Sequence, residues 1–162
     1  MSAASHAAED DTRAAFVYQE ALRGLLQQQA AVESLHARAA TLIFAASFAS
    51  SLLGARALEN GVDPWDWVAL GLLVAIGGLA VFLLWPYYNL TFRFDPEDLL
   101  ARYVDVADPM PMAAMHRELA LRIKADWVRN GRIVRRLREA LQVALILLLL
   151  EIVAWLISIA EM

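Results

Sequence analysis

Residues 141 to 159 read LQVALILLLLEIVAWLISI, a run of 19 residues in which Glu151 is the one ionisable side chain. A helix of this length is about 29 Å long, which matches the roughly 30 Å hydrocarbon core of a bilayer. The stretch is therefore predicted to be a membrane-spanning helix. It also places a carboxyl group near the middle of the membrane.

Two earlier stretches have the same character. Residues 39 to 55 read AATLIFAASFASSLLGA, and residues 67 to 85 contain no charge and have a tryptophan at each end. Residues 56 to 66 contain Asn60-Gly61 and Asp63-Pro64, both typical of turns, so they are predicted to join the two spans as a hairpin. These three stretches explain why 60% of the 162 residues are hydrophobic, whereas soluble domains are nearer half.

The segments outside the spans are polar and rich in helix-forming residues. Residues 1 to 10 are small and acidic and are predicted to be a disordered tail. The sequence as a whole predicts an all-α integral membrane bundle with three transmembrane helices. After the tail come a cytosolic amphipathic helix over 11–38 and a transmembrane hairpin over 39–85. A cytosolic helical segment follows over 86–140, with a short helix from 96 to about 104 and a long one from about 112. The third span and a short outer tail cover 141–162.

A regular stripe runs along the predicted helix 11–38. Its members recur at alternating spacings of three and four, which is the pattern of a heptad seam. Two interpretations stay open: the helix packs on the cytosolic part of its own chain, or it forms a coiled coil between subunits. One row of the seam is Tyr18, Leu25 and Val32, and the other is Ala21, Gln28 and Leu35.

Small residues recur at helical spacing in the first two spans, and such pairs let helices approach closely in lipid. In the second span the stripe is Gly71, Ala75 and Gly78. We expect it to pack on the small-residue face of the first span. In the first span the pairs four residues apart are Ala45 with Ala49, Ser47 with Ser51, and Ser50 with Gly54.

Glu151 is the candidate functional residue, because a carboxyl group at the centre of a span costs about 2.5 to 3.5 kcal/mol and usually faces protein or water. Ser47, Ser50 and Ser51 flank the same depth in the first span and are its predicted partners. Three roles for Glu151 remain open. The carboxyl group is satisfied inside one bundle, it lines a cation-permeable pore in an oligomer, or it belongs to a proton relay.

The orientation follows from a basic cluster just before the third span, with no acid between Asp126 and Glu139. Lysine and arginine near span ends mark the cytoplasmic side. We therefore expect a protein of the inner (plasma) membrane with a cytoplasmic N-terminus and an outer C-terminus. The cluster would touch membrane lipid headgroups, or alternatively a phosphate-bearing ligand. Its members are Arg129, Arg132, Arg135, Arg136 and Arg138.

Several classes of function find no support in the residues. The chain has no cysteine, and His6, His36 and His116 stand alone, so no metal site and no cofactor is predicted. The net charge is -4 and the basic residues form no patch interleaved with aromatics, which argues against nucleic acid as a partner. No catalytic arrangement is recognisable, and we expect a protein that is not an enzyme.

The start of the first span resembles a group of small bacterial membrane proteins, the Pycsar-type transmembrane effectors and the related SLATT effectors. In those families a cytosolic helix leads into the membrane through an element Asp-x-basic-Ala-x-x-Leu. Arg38, Ala39 and Leu42 match this element, while His36 stands at the Asp position. Further similarity lies in Gln27-Gln28-Gln29, Leu35, Ser47-Phe48 and 51–54, and, before the third span, in Asn130, Arg136, Leu137 and Ala140.

The resemblance implies an effector of antiviral defence that disrupts the inner membrane when activated by a nucleotide signal. The stripes on the N-terminal helix and the spans, together with Glu151, predict a homo-oligomer, and a protein is the alternative activator. The family pattern carries no catalytic residues that could be transferred to this chain. The other class of function that fits the residues is a scaffold or accessory subunit, whose segment 86–140 docks another protein.

Overall fold

The computed structural model describes the backbone of residues 3–86, 90, 94–108 and 110–161, and the side chains of these residues except 3–7 and 60. It consists of helix α1 (Ala3–Ala57), a 3-10 turn (Leu58–Asn60), α2 (Pro64–Leu84), α3 (Pro96–Leu99), a π-helical turn (Leu100–Val104) and α4 (Met112–Glu161). The described part of the chain contains no strand, as the predicted all-α class requires. Three helices, α1, α2 and α4, are long and apolar enough to cross a membrane.

Helix α1 begins at Ala3, so the prediction of a disordered tail over residues 1 to 10 is wrong for 3–10. The reason is that this stretch is rich in alanine and contains neither glycine nor proline, which favours helix despite its polarity. Downstream, the predicted boundary between the cytosolic helix and the first span is not a break in the structure. One helix of 55 residues covers both.

The hairpin connection predicted over 56–66 is short and well defined. Gly61 has φ 118°, in the left-handed region that glycine alone adopts without strain. Asp63 then caps α2, since its side chain accepts hydrogen bonds from Trp65 N at 2.6 Å and Asp66 N at 3.0 Å. Pro64 occupies the first helical position, where its missing N–H is not needed. Helix α2 therefore starts before the predicted Trp67.

The short helix predicted from residue 96 to about 104 is present, but its second half has a different geometry. Asp95 caps α3 by accepting a hydrogen bond from Glu97 N at 3.0 Å, and Pro96 follows at the first position. After Leu99 the backbone widens into the π-helical turn, which Asp105 N closes by donating to Leu100 O at 2.8 Å. Helix α4 begins at Met112, as predicted.

The chain divides into two compact units. We call the described residues within 1–31 and 87–134 the polar unit, and those within 32–86 and 135–161 the apolar unit. In the polar unit α1 packs on α4 of its own chain. Gln28 Nε2 donates to Trp127 O at 3.0 Å, and the rings of Tyr18 and His116 stack with centroids 5.5 Å apart. Since residue numbers rise together in both contacts, the two helices are parallel.

This packing decides between the two interpretations of the α1 seam. Every predicted seam residue is buried or half-buried, from Tyr18 to Leu35. Within the polar unit the seam lies against α4, and Gly24 and Gly131 leave room for the neighbouring side chains of Trp127 and Gln28. The seam is therefore used for packing inside one chain, the first of the two alternatives.

The apolar unit brings together all three candidate spans. A core of Ala57, Ala69, Ala154 and Trp155 joins α1, α2 and α4. The closest approach is at Gly54, where a Cβ atom would lie 3.2 Å from the Trp155 ring. The Ser50 and Gly54 pair predicted from the sequence therefore does form a packing face, although its neighbour is α4.

The small-residue stripe predicted for α2 points outward, so that prediction is wrong. Gly71, Ala75 and Gly78 are exposed on the surface of the unit, and a Cβ at either glycine would meet nothing within 4 Å. Helix α2 is apolar all round, so its composition does not mark one face as the inner one. Its buried side is formed instead by Asp66, Ala69, Ile76, Ala80 and Leu83.

Candidate functional site

Glu151 points into the apolar unit because of its place in the heptad pattern of α4. The buried row has a member every seven residues, and its side chains all face inward. This spacing keeps a residue on the packing side of a long helix whatever its polarity. In the apolar unit the row consists of Leu137, Ala144, Glu151 and Ser158.

The carboxyl group of Glu151 is fully buried, with an exposed fraction of 0%. Ser50 Oγ of α1 donates a short hydrogen bond to Glu151 Oε1. Trp155 Nε1 lies 3.4 Å from the same oxygen and donates to it from the next turn of α4. The other oxygen, Oε2, is buried and has no hydrogen-bond partner among the described residues.

Only one of the three serines predicted around Glu151 reaches it. Ser47 and Ser51 are exposed on α1 and are not among the hydrogen-bond partners of Glu151 in the described part of the chain. Ser51 lies 100° further round α1 than Ser50, and Ser47 lies three residues earlier, about 4.5 Å along the helix axis. Counting residues therefore predicts the level of the contact but not which serine makes it.

A second polar pair lies in the apolar unit, and the sequence analysis missed it. Ser158 Oγ donates to Asp66 Oδ1 at 2.7 Å, and both residues are fully buried. Asp66 Oδ2 also accepts from Asp63 N at 2.8 Å, which completes a capping box at the start of α2. The spacing Asp63-Pro64-x-Asp66 is the sequence signal for this capping box.

The two polar pairs fix the mutual direction of the spans within the apolar unit. Ser50 and Gly54 of α1 meet Glu151 and Trp155 of α4 in the same order, so these helices are parallel. Asp66 near the start of α2 meets Ser158 near the end of α4, so these two are antiparallel. Each contact joins a carboxyl group to a neutral hydroxyl.

The arginines before the third span all lie exposed on α4. Arg129 pairs with Asp126 at 2.6 Å and Arg135 with Glu139 at 2.9 Å. Arg132, Arg136 and Arg138 pair with no acid among the residues described. The cluster is thus a solvated basic surface, with side chains free to meet anionic groups.

The polar unit contains an ion-pair network between α3, the π-helical turn and α4. Arg122 donates to Asp98 at 2.6 Å, while Arg102 lies 3.5 Å from Asp98 and 4.0 Å from Glu118. The hydrogen bond from Arg122 and the charges of both arginines hold the pKa of Asp98 below its ordinary value. Burial, followed by the nearby Glu118 carboxylate, raises the pKa of Tyr103.

Within the described part of the chain, no group of three or more histidine, aspartate and glutamate side chains converges on one point. His116 stacks on Tyr18 in the helix pair, while the side chain of His6 lies outside the described set. The buried polar groups are arranged to join helices.

Comparisons of the chain with known protein families, curated proteins and solved structures find no match. The function therefore has to be argued from the geometry of this chain. Two features bear on it: the buried carboxyl group of Glu151 in the apolar unit and the charged surfaces of the polar unit.

Proposed function

We propose that this chain is a non-enzymatic protein of the bacterial inner membrane that self-associates and, when activated, disrupts the membrane or forms a pore. The observation that carries the proposal is Glu151, fully buried at mid-span with Oε2 unpartnered among the described residues. An apolar side chain in its place would pack inside the bundle without the free-energy cost of burying a carboxyl group. A carboxyl group is useful there if the helices separate and it comes to face water.

The contacts of Glu151 support a closed resting form. Its described hydrogen-bond partners are a neutral hydroxyl on α1 and a ring N–H on its own helix. Separation of α1 from α4 would break the Ser50 contact and turn the carboxyl group toward the path between them. A ring of such groups in an oligomer favours cations.

Self-association is supported by surfaces of the apolar unit that its own helices leave uncovered. Gly71 and Gly78 offer a shallow face on α2 on which another helix can pack closely. Ser47 and Ser51 lie exposed on α1, four residues apart, and their hydroxyls can bond across helices. The two faces together give an oligomer small residues and hydrogen-bonding groups.

The proposed orientation rests on the exposed arginines that precede the third span. In the proposed orientation the N-terminus and residues 86–140 lie in the cytoplasm, and residues 56–66 and the C-terminal end of α4 lie outside. The helices α1 and α4 are parallel and α2 is antiparallel to α4, which fits a chain that crosses the membrane three times. The resemblance to Pycsar-type and SLATT effectors supplies the proposed role in antiviral defence and an activating nucleotide signal or protein.

One observation favours a second candidate, a scaffold or accessory subunit of a membrane complex. The full burial of Glu151 and its bond to Ser50 also suit a bundle that never opens, in which the carboxyl group specifies how α1 and α4 align. In that case the polar unit would carry the function.

Cation efflux from liposomes that contain the full chain separates the two candidates. A pore-forming chain gives flux that Glu151→Gln shifts in cation selectivity without loss of assembly, and Ser50→Ala increases flux by loosening the closed form. The matched control Thr41→Ala removes an exposed hydroxyl of α1 that donates to Ala37 O of its own helix at 3.1 Å, and it leaves flux unchanged. Absence of flux in every oligomeric state, with Glu151→Ala failing to fold in detergent, would establish the scaffold role.

A further inference from the structure

A groove of about 840 Å³ runs along the polar unit between the N-terminal parts of α1 and α4. Its lining is mainly apolar, and most of the apolar lining side chains are alanines, which keep it shallow and smooth. Val17 and Leu121 stand on its two sides and remain 55% and 59% exposed. The alanines that line the groove between them include Ala14, Ala21, Ala113 and Ala120.

The shape of this groove suits a helix. The lining residues on α1 extend from Asp10 to Ala21, which corresponds to about 16 Å or three helical turns. Small residues in the groove and larger apolar ones on its sides resemble the arrangement in which an amphipathic helix lays its apolar face between two others. The heptad pattern of α1 and α4 suits such a third helix as well.

The charges at the rim define what kind of helix it accepts. Three of the lining residues are basic, namely Arg13, Arg117 and Lys124, and one is acidic, Asp10. Arg13 is held by Glu9 at 2.5 Å, but Arg117 and Lys124 pair with no acid among the described residues. A helix with glutamate or aspartate beside its apolar face would neutralise them.

The same charges disfavour a second copy of this chain as the occupant. Copies in one membrane share one orientation, so a symmetric pair joined groove to groove brings each residue to the height of its own equivalent. Arg117 would then approach Arg117, and Lys124 would approach Lys124. Like charges brought together at an interface weaken binding.

We propose that this groove is a docking site for an acidic amphipathic helix of another protein. The apolar face of that helix lies on the alanines between Val17 and Leu121, and its carboxylates pair with Arg117 and Lys124. The site goes beyond the proposed function, because it is formed whether or not the apolar unit opens. It gives the chain a means of meeting a protein activator or a complex.

Peptide binding to the full chain in detergent micelles tests the proposal by fluorescence anisotropy. The probe is a helical peptide of about four turns with a Leu and Ala face flanked by glutamates. The first control has the same face flanked by lysines, and the second has the composition of the probe in scrambled order. We expect binding of the probe alone, weakened by salt because rim charges are screened.

Charge reversal makes the test specific to the groove. Arg117→Glu with Lys124→Glu should weaken binding of the glutamate peptide about tenfold or more and allow the lysine peptide to bind. Arg23→Glu, on an exposed part of α1 outside the groove, is the matched control and should change neither affinity. Ala113→Trp should block both peptides by filling the groove.

Three outcomes would overturn the proposal. Equal binding of the glutamate and lysine peptides would show that charge does not select the occupant. Equal binding of the scrambled peptide would show that only an anion is required. Loss of cross-linked oligomers in the Arg117→Glu and Lys124→Glu variant would show that a second copy occupies the groove.

Discussion

The Glu151 contact in the apolar unit and the Asp98 contact in the polar unit both use a carboxyl group to join two helices, with different partners. Glu151 is 0% exposed and meets the neutral hydroxyl of Ser50. The Asp98 side chain is 33% exposed and meets two arginines. The difference follows from the surroundings, since a buried polar group depends on hydrogen-bond partners in the protein, whereas water screens the charge of an exposed one. We therefore expect substitutions in the apolar unit to lower the free energy of unfolding more than substitutions in the polar unit.

The largest effect is expected where the apolar unit is packed most closely. Gly54→Leu would push side-chain atoms into the Trp155 ring, which lies 3.2 Å from an ideal Cβ. Overpacking of this kind costs about 3 kcal/mol of unfolding free energy. Unfolding of the chain in detergent micelles, followed by tryptophan fluorescence, measures the loss. Gly77→Leu, on α2 but outside the Gly71 and Gly78 stripe, is the control and should be almost neutral, because its Cβ would meet nothing within 4 Å.

The second effect concerns the buried carboxylate of Asp66. Asp66→Ala would leave Asp63 N and the Ser158 hydroxyl without their acceptor. The expected cost is about 2 kcal/mol, typical of buried polar groups that lose a partner. Asp66→Asn keeps one acceptor oxygen for Ser158, so its free energy of unfolding should lie between those of Asp66→Ala and the unchanged chain. Equal stability of Asp66→Ala and the unchanged chain would show that these bonds are replaced by other contacts.

A smaller effect is expected for the hydrogen bond at the candidate site. Ser50→Ala removes the donor to Glu151, and hydrogen bonds between membrane helices average about 0.6 kcal/mol. Thr41→Ala removes an exposed hydroxyl of the same helix, is the matched control and should alter stability little. A double-mutant cycle of Ser50→Ala with Glu151→Gln isolates the pair. Identical losses for Ser50→Ala and Thr41→Ala would show that the bond between Ser50 and Glu151 adds no stability.

The smallest effect belongs to the polar unit and should depend on pH. Because the pKa of Asp98 is lowered in the folded chain, the native state binds this proton less readily than the unfolded state, whose pKa is near 3.8. Its contribution is fully present above that value and is lost as pH falls through the folded pKa. Acid unfolding of Asp98→Asn should lack this component, and high salt should reduce it in the unchanged chain.

The sequence predicted those features that depend on a strong periodic signal. The α1 seam is one, because alternating spacings of three and four leave little choice of face. The level of Glu151 is another, because depth follows from counting residues. Which serine contacts Glu151 is harder to predict. Ser47, Ser50 and Ser51 lie within about one helical turn, and packing of α1 against Trp155 selects Ser50.

Two errors have a common physical cause. The small residues Gly71 and Gly78 predict a buried face of α2, but in a helix that is apolar all round, small residues do not reveal which side packs. The predicted connection over 56–66 includes Asp66, although this residue lies in the first turn of α2 and bonds to Ser158 far along the chain. Both outcomes depend on where α4 packs in the apolar unit.

The parallel arrangement of Ser50 and Glu151 has a consequence for how the chain is made. Synthesis runs from the N-terminus, so α1 with its Ser50 hydroxyl is translated before Glu151 of α4. An isolated span with a central carboxyl group carries a cost of about 2.5 to 3.5 kcal/mol when it leaves the translocation machinery. The hairpin, which is translated first, carries a hydrogen-bond donor for that carboxyl group, and an isolated last span lacks this partner.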